Sequence, residues 1–201
     1  MAEFGATPWG RAWLKTIETS NVAVPNSLLP KARSIARNDG VTSLTIQAGR
    51  IHATVALRGI THAVQIQLPP WDSQTSRRVA WLTSNARAGH PALAPGDLPD
   101  ALEADLRREG IGIAVPAEEQ TVECTCPARR THCVHALATL YTLAQRIDER
   151  PAIAVDLRGD ASEHATPPDP GWMSLSAIDA NDFYGTSGGR VVDDEVSDLL
   201  G

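Results

Sequence analysis

The sequence predicts a mixed α+β fold, a small antiparallel sheet with helices, extended by a strand-loop-helix unit that carries the cysteines. Three observations carry this. First, a period-two apolar run from Leu44 to Leu68 is broken by Gly49 and Gly59, the pattern of a three-stranded antiparallel meander with one apolar face. Second, the segments around it carry apolar residues at helical spacing. Third, all three cysteines of the 201-residue chain fall between Cys124 and Cys133. An odd count grouped so tightly, in a reducing compartment, points to a metal or a reactive thiol and not to a disulfide framework.

Taken in order, residues 8 to 20 put Trp9, Trp13 and Ile17 on one side and Arg11, Lys15 and Glu18 on the other. This is a short amphipathic helix whose tryptophans anchor the core. A loop is expected around residues 25–30, and residues 31–37 are basic without strong periodicity. In the meander the apolar face comprises Leu44, Ile46, Ile51, Ala53, Val55, Leu57, Val64, Ile66 and Leu68, and Pro69 and Pro70 end it. His52 and His62 lie in this sheet without a partner at metal spacing, so both are read as structural or solvent-facing. Asp72 caps a helix running to about residue 88 with Val79, Ala80, Leu82 and Ala86 inward, and residues 99–108 form a second helix stopped by Gly110. Ile111, Ile113 and Val115 suggest a short strand broken by Pro116, and residues 121–126 a further strand. A helix over residues 134–150 presents Leu137, Leu140, Tyr141, Ala144 and Ile147 as one buried stripe before Pro151 ends it.

The cysteines read Cys124-Thr-Cys126, six intervening residues, then Cys133-Val-His135. Three thiolates and one imidazole complete a tetrahedral zinc shell and leave no position for water, so the site is structural and not catalytic. Two ligands leave the strand and two open the helix, closing a small unit around the ion. His132 rivals His135 as the fourth ligand, although its direct adjacency to Cys133 gives it poorer reach. A Cys124–Cys126 redox pair, with Arg129 and Arg130 favouring a thiolate, is the competing use of these cysteines.

Composition bounds the rest. The chain is 42% hydrophobic and 21% charged, with a net charge of −6. Residues 160–201 hold nine of the 24 acidic residues against Arg190 alone, a balance of −8 that leaves +2 on residues 1–159. That distribution argues against nucleic-acid affinity of the whole molecule while leaving room for a local basic face. With neither a membrane span nor a signal-peptide pattern, a cytoplasmic location is expected. Three regions follow: a mixed body over residues 1–115, the finger and its helix over 116–159, and an acidic, largely disordered tail over 160–201. Within that tail, Trp172, Met173, Leu175, Ile178, Phe183 and Tyr184 are candidate docking residues. No phosphate-cradling glycine loop, nucleophile elbow or spaced acid–base pair is present, so the chain reads as a binding module without a small-molecule substrate, not as an enzyme.

The stretch "CTCPARRTHCVHALATLYTLA" resembles the SWIM zinc finger, with its Cys-x-Cys, short gap, Cys-x-His and apolar helix. The resemblance extends to "FGATPWGRAWLKTIE", "KARSIARNDGVTSLTIQAGRIHATV" and "DFYG", which look like the pattern of stand-alone bacterial SWIM proteins, although Tyr184 stands where a tryptophan is usual. It implies a zinc-dependent module that binds DNA or protein, with a Swi/Snf-type DNA-dependent ATPase as the expected partner. For DNA, the candidate contacts are Arg129 and Arg130 in the zinc loop, joined by Arg77, Arg78, Arg107 and Arg108. Paired arginines of this kind are more often solvated helix faces.

Overall fold

The glycine-punctuated run folds as three antiparallel strands in a computed structural model that describes residues 4–19, 27–128 and 132–159. They are β1 (Val41–Gln47), β2 (Arg50–Leu57) and β3 (Ile60–Gln67). The β2–β3 turn has φ of +54° at Arg58 and +79° at Gly59, the positive pair that a two-residue hairpin needs to match strand twist. A fourth strand, β4 (Thr121–Cys124), adds antiparallel to β3, giving the order β1-β2-β3-β4. Alternation then selects the buried face, which carries Ile51, Ala53, Val55, Val64 and Ile66. Val64 lies opposite Cys124 and Ile66 opposite Val122.

Among the described residues six α-helices accompany the sheet: α1 (Pro8–Thr19), α2 (Leu28–Arg37), α3 (Ser73–Ala88), α4 (Asp100–Arg108), α5 (Val134–Glu149) and α6 (Ala152–Asp156). The central one is α5. It packs against the sheet on one side and against α1 and α2 on the other. Its expected stripe of Leu137, Leu140, Tyr141, Ala144 and Ile147 is buried, and so are Ala136, Ala138, Thr139 and Leu143 between them. A helix enclosed on several sides is apolar over most of its circumference, not along one stripe. Trp9 and Trp13 of α1 are fully buried, as their spacing implies.

The N-terminus is held from a distance. Gly5 N, Thr7 N and Thr7 Oγ1 all donate to the Asp148 carboxylate of α5, at 2.7, 2.8 and 2.8 Å. Gly10 lies so close to that carboxylate that an added Cβ would come within 2.1 Å of Asp148 Oδ1.

Several expectations are corrected. Residues 28–37, expected as a loop and an aperiodic basic stretch, form α2, with Ala32, Ile35 and Ala36 buried. Pro30 sits in the first turn, where its missing N–H costs no intrahelical bond. Ile111, Ile113 and Val115 form no strand; Ile113 and Val115 are buried in irregular chain. Ala80 of α3 is exposed while Val79 is buried. The strand expected over residues 121–126 stops at Cys124, and Pro151 opens α6 as well as ending α5. Within residues 116–159, β4 completes the sheet and α5 lies in the core that runs from Phe4 to Leu157. The tail expected over residues 160–201 lies outside the described residues. Among the described residues no helix is long and apolar enough to cross a membrane.

Candidate metal centre

The end of β4, the loop after it and the start of α5 converge at one corner of the sheet. Beyond Cys124 the chain stays tied to β3, since Thr125 N donates to Ala63 O and Ala63 N to Thr125 Oγ1, both at 3.0 Å. The backbone bends there, and a regular strand is not what brings Cys126 back towards Cys124. The backbone amides of Cys126 and Ala128 favour the ionised sulfurs of Cys124 and Cys126 in turn, as N–H donors near a thiolate do. Cys133 stands at the N-cap of α5, its carbonyl accepting from Leu137 N at 3.0 Å, so its sulfur meets the positive end of the helix.

The ligand atoms of Cys124, Cys126, Cys133 and His135 all lie within 4.8 Å of one another. His135 Nδ1 is 3.9 Å from the sulfur of Cys124 and 3.9 Å from that of Cys133. Zinc-type bond lengths in a tetrahedron give a sulfur–nitrogen edge of about 3.6 Å, so a small inward shift closes the shell. Cys133 and His135 are buried, and Cys124 and Cys126 half-buried. Four such donors match the ligand number and type of a tetrahedral metal site.

The electrostatics make the same point. Burial pushes the Cys124 thiol up to about 12, reinforced by the neighbouring Cys126 and Cys133 sulfurs. Burial also opposes ionisation of Cys126, but the Ala128 amide and the Cys124 and Cys133 thiols outweigh it and hold Cys126 below the usual thiol range. Crowded, partly buried thiols cannot all ionise unaided, and a dication among them deprotonates them outright. Burial, then the charges of His62 and Lys31, lower His135 below the ordinary histidine range, which keeps its imidazole neutral and able to ligate.

All four expected ligands therefore meet. The rival His132 turns away: its Nε2 lies 3.4 Å from Gln120 Oε1, and it is not in the cluster. Sequence reasoning missed His62, whose ring centroid lies 4.2 Å from that of His135. The signal was present in the parity, since His62 shares the period-two face of Val64 and Ile66.

The expected nucleic-acid contacts are not gathered into one free basic stripe. Arg78 makes a two-pronged pair with Glu109 at 2.7 and 2.5 Å. Arg107 lies 3.3 Å from Glu103 and Arg108 2.6 Å from Asp105. Arg77 is exposed on α3, and Arg129 and Arg130 lie outside the described residues. Also unforeseen is Trp81, 53% exposed on α3 with the Arg78 guanidinium 4.4 Å from its ring centre.

No family model matches the chain, and no solved structure matches it. It is 30% identical over 162 residues to the uncharacterized protein Rv2102 of Mycobacterium tuberculosis. That match covers 78% of this chain and 56% of the relative, so the chain spans little more than half the relative's length.

Proposed function

We propose that the chain is a zinc-stabilised adaptor module that binds a protein partner, and that the partner is a Swi/Snf-type DNA-dependent ATPase. The observation that carries the zinc reading is the closed Cys3His cluster, with His135 Nδ1 equidistant at 3.9 Å from two sulfurs. Three soft thiolates and an imidazole in a tetrahedral arrangement favour zinc over the harder divalent ions. Cys124, Cys126, Cys133 and His135 would hold the ion, whose role there is to cross-link β4 to α5. The same residues carry the SWIM resemblance, which supports the ATPase as partner.

An adaptor needs a surface, and α3 supplies a candidate. It contains Arg77, Arg78 and Arg87 and no acidic residue, and Trp81 stands exposed among them. Tryptophan and arginine are the residues that most often dominate protein interfaces. The same helix favours direct DNA binding as a second reading, but Arg78 is already neutralised by Glu109. That pairing supports protein over phosphate as the target.

Metal content of the purified chain tests the first half. About one zinc per chain is expected in the wild type and in His132→Ala, with zinc lost in Cys133→Ser. Zinc-free protein prepared without chelator would instead make a Cys124–Cys126 redox role the leading one. Co-purification with a Swi/Snf-type ATPase tests the second half, and Trp81→Ala should weaken it about tenfold or more while leaving zinc in place. No association, with DNA binding that weakens steeply as salt rises, would transfer the case to the DNA reading.

A further inference from the structure

We infer that His62 is a positioning residue for the metal centre, its ring lying against His135 and holding that imidazole with Nδ1 turned towards the sulfurs. The inference rests on the metal-site reading above. The two rings have centroids 4.2 Å apart and planes inclined by 37°. His62 reaches this place through strand register. It stands on the inner face of β3 opposite Val55 of β2, two residues before Val64, whose partner across β3 and β4 is Cys124. The strand that anchors one ligand thus also carries the ring that meets another.

His135 needs such support. A metal-bound imidazole is ordinarily oriented by its second nitrogen, which donates to a carboxylate or a carbonyl. Here Nε2 is buried and has no hydrogen-bond partner among the described residues. The last torsion of a histidine is broad, so without that bond only packing keeps Nδ1 on the metal side. The His62 ring, 4.2 Å away between centroids, is the flat neighbour against which the imidazole rests. His62 is not itself a fifth ligand, because the donor atoms that converge belong to the three cysteines and His135. What it contributes is a flat surface, which another aromatic ring supplies equally well.

The test uses the full chain as wild type, His62→Ala and His62→Phe, with chelator competition for zinc and the visible absorption of the cobalt-substituted protein as readouts. The His62→Ala change is expected to weaken metal binding by roughly 10- to 100-fold, the usual cost of losing an orienting neighbour, and to alter the cobalt bands that report ligand geometry. The His62→Phe change should retain wild-type affinity to within about threefold and the wild-type spectrum. Such rescue excludes a role for the His62 nitrogens, because phenylalanine keeps the ring and removes every polar atom, and the cobalt bands separate altered ligand geometry from loss of general stability. Wild-type affinity and spectrum in His62→Ala would overturn the inference, as would His62→Phe behaving like His62→Ala. A wild-type chain that takes up neither zinc nor cobalt would overturn the metal-site reading itself, and this inference with it.

Discussion

Gly10 and Asp148 are 138 positions apart in the chain, yet neither can change alone. The Asp148 carboxylate accepts three hydrogen bonds from Gly5 and Thr7 just ahead of α1, and a Cβ at Gly10 would occupy its place. Replacing Gly10 by alanine therefore gains helix propensity but drives the carboxylate off its donors, and the second effect is larger. Charge-assisted hydrogen bonds are individually worth about 1.5–3 kcal/mol, against roughly 1 kcal/mol gained from Gly→Ala in a helix. We expect Gly10→Ala to lose about 2 kcal/mol, a fall in Tm of roughly 4–8 °C for a chain of this size, measured by calorimetry. An unchanged Tm would mean that Asp148 finds equivalent donors after moving aside. The spacing of Trp9 and Trp13 is legible in the sequence because both face the core, whereas the need for glycine between them depends on a partner in α5 that no local pattern announces.

Elements were legible where one principle governed them and obscure where packing decided. The meander could be read because its glycines and its period-two alternation agree, and α3 because Asp72 is a capping residue ahead of a helical pattern. The helix α2 escaped because Pro30 looks like a breaker and because its buried stripe is made of Ala32, Ile35 and Ala36, two of them too small to register as hydrophobic periodicity. Residues 111–115 misled in the opposite direction: Ile113 and Val115 are apolar because they are buried, not because they pair. The site was the most legible part, since metal ligation imposes residue type and spacing together, but β4 as the fourth strand depends on long-range pairing with β3. The Asp72 cap makes a prediction of its own. Its side chain accepts from Gln74 N and Thr75 N at 2.9 Å and from Thr75 Oγ1 at 2.7 Å. The Thr75 amide, then its hydroxyl, hold the Asp72 carboxyl below its ordinary value of 3.8. A group whose pKa is lowered by folding stabilises the fold above its unfolded value, and that contribution disappears as pH falls through the lower folded value. Asp72→Asn keeps a capping oxygen without the titration. The Tm advantage of wild type over Asp72→Asn should be full at neutral pH and shrink as pH falls below the ordinary carboxylate range. A gap that stays constant through acid would show that the charge at the cap contributes nothing.

At the scale of the whole body, the candidate metal centre lies at the edge of a core that does not depend on it alone. A free-standing finger has little to bury, and its metal supplies its folding energy. Here α5 begins at the ligands Cys133 and His135 but continues for three further turns through a core that includes Trp9, Trp13, Ile51, Ile66, Leu102, Leu106 and Leu157, every one of them at most 2% exposed. Each such side chain contributes about 1.5–3 kcal/mol on burial, and none of these seven touches the metal shell as a ligand. An ion bound by the four ligands would act locally: it would fasten the β4 end to the first turn of α5 across the six residues between Cys126 and Cys133. Chelation should therefore lower the melting temperature substantially, by about 10 °C where the lost ligation is worth several kcal/mol, yet leave a cooperative transition and most of the helical circular dichroism. Hydrogen exchange should rise first in residues 121–137, with the middle of α5 and the β2–β3 ladder remaining protected. Loss of the cooperative transition on chelation would mean that the α5 core cannot form until its first turn is pinned, and that the metal organises the whole body and not one corner of it.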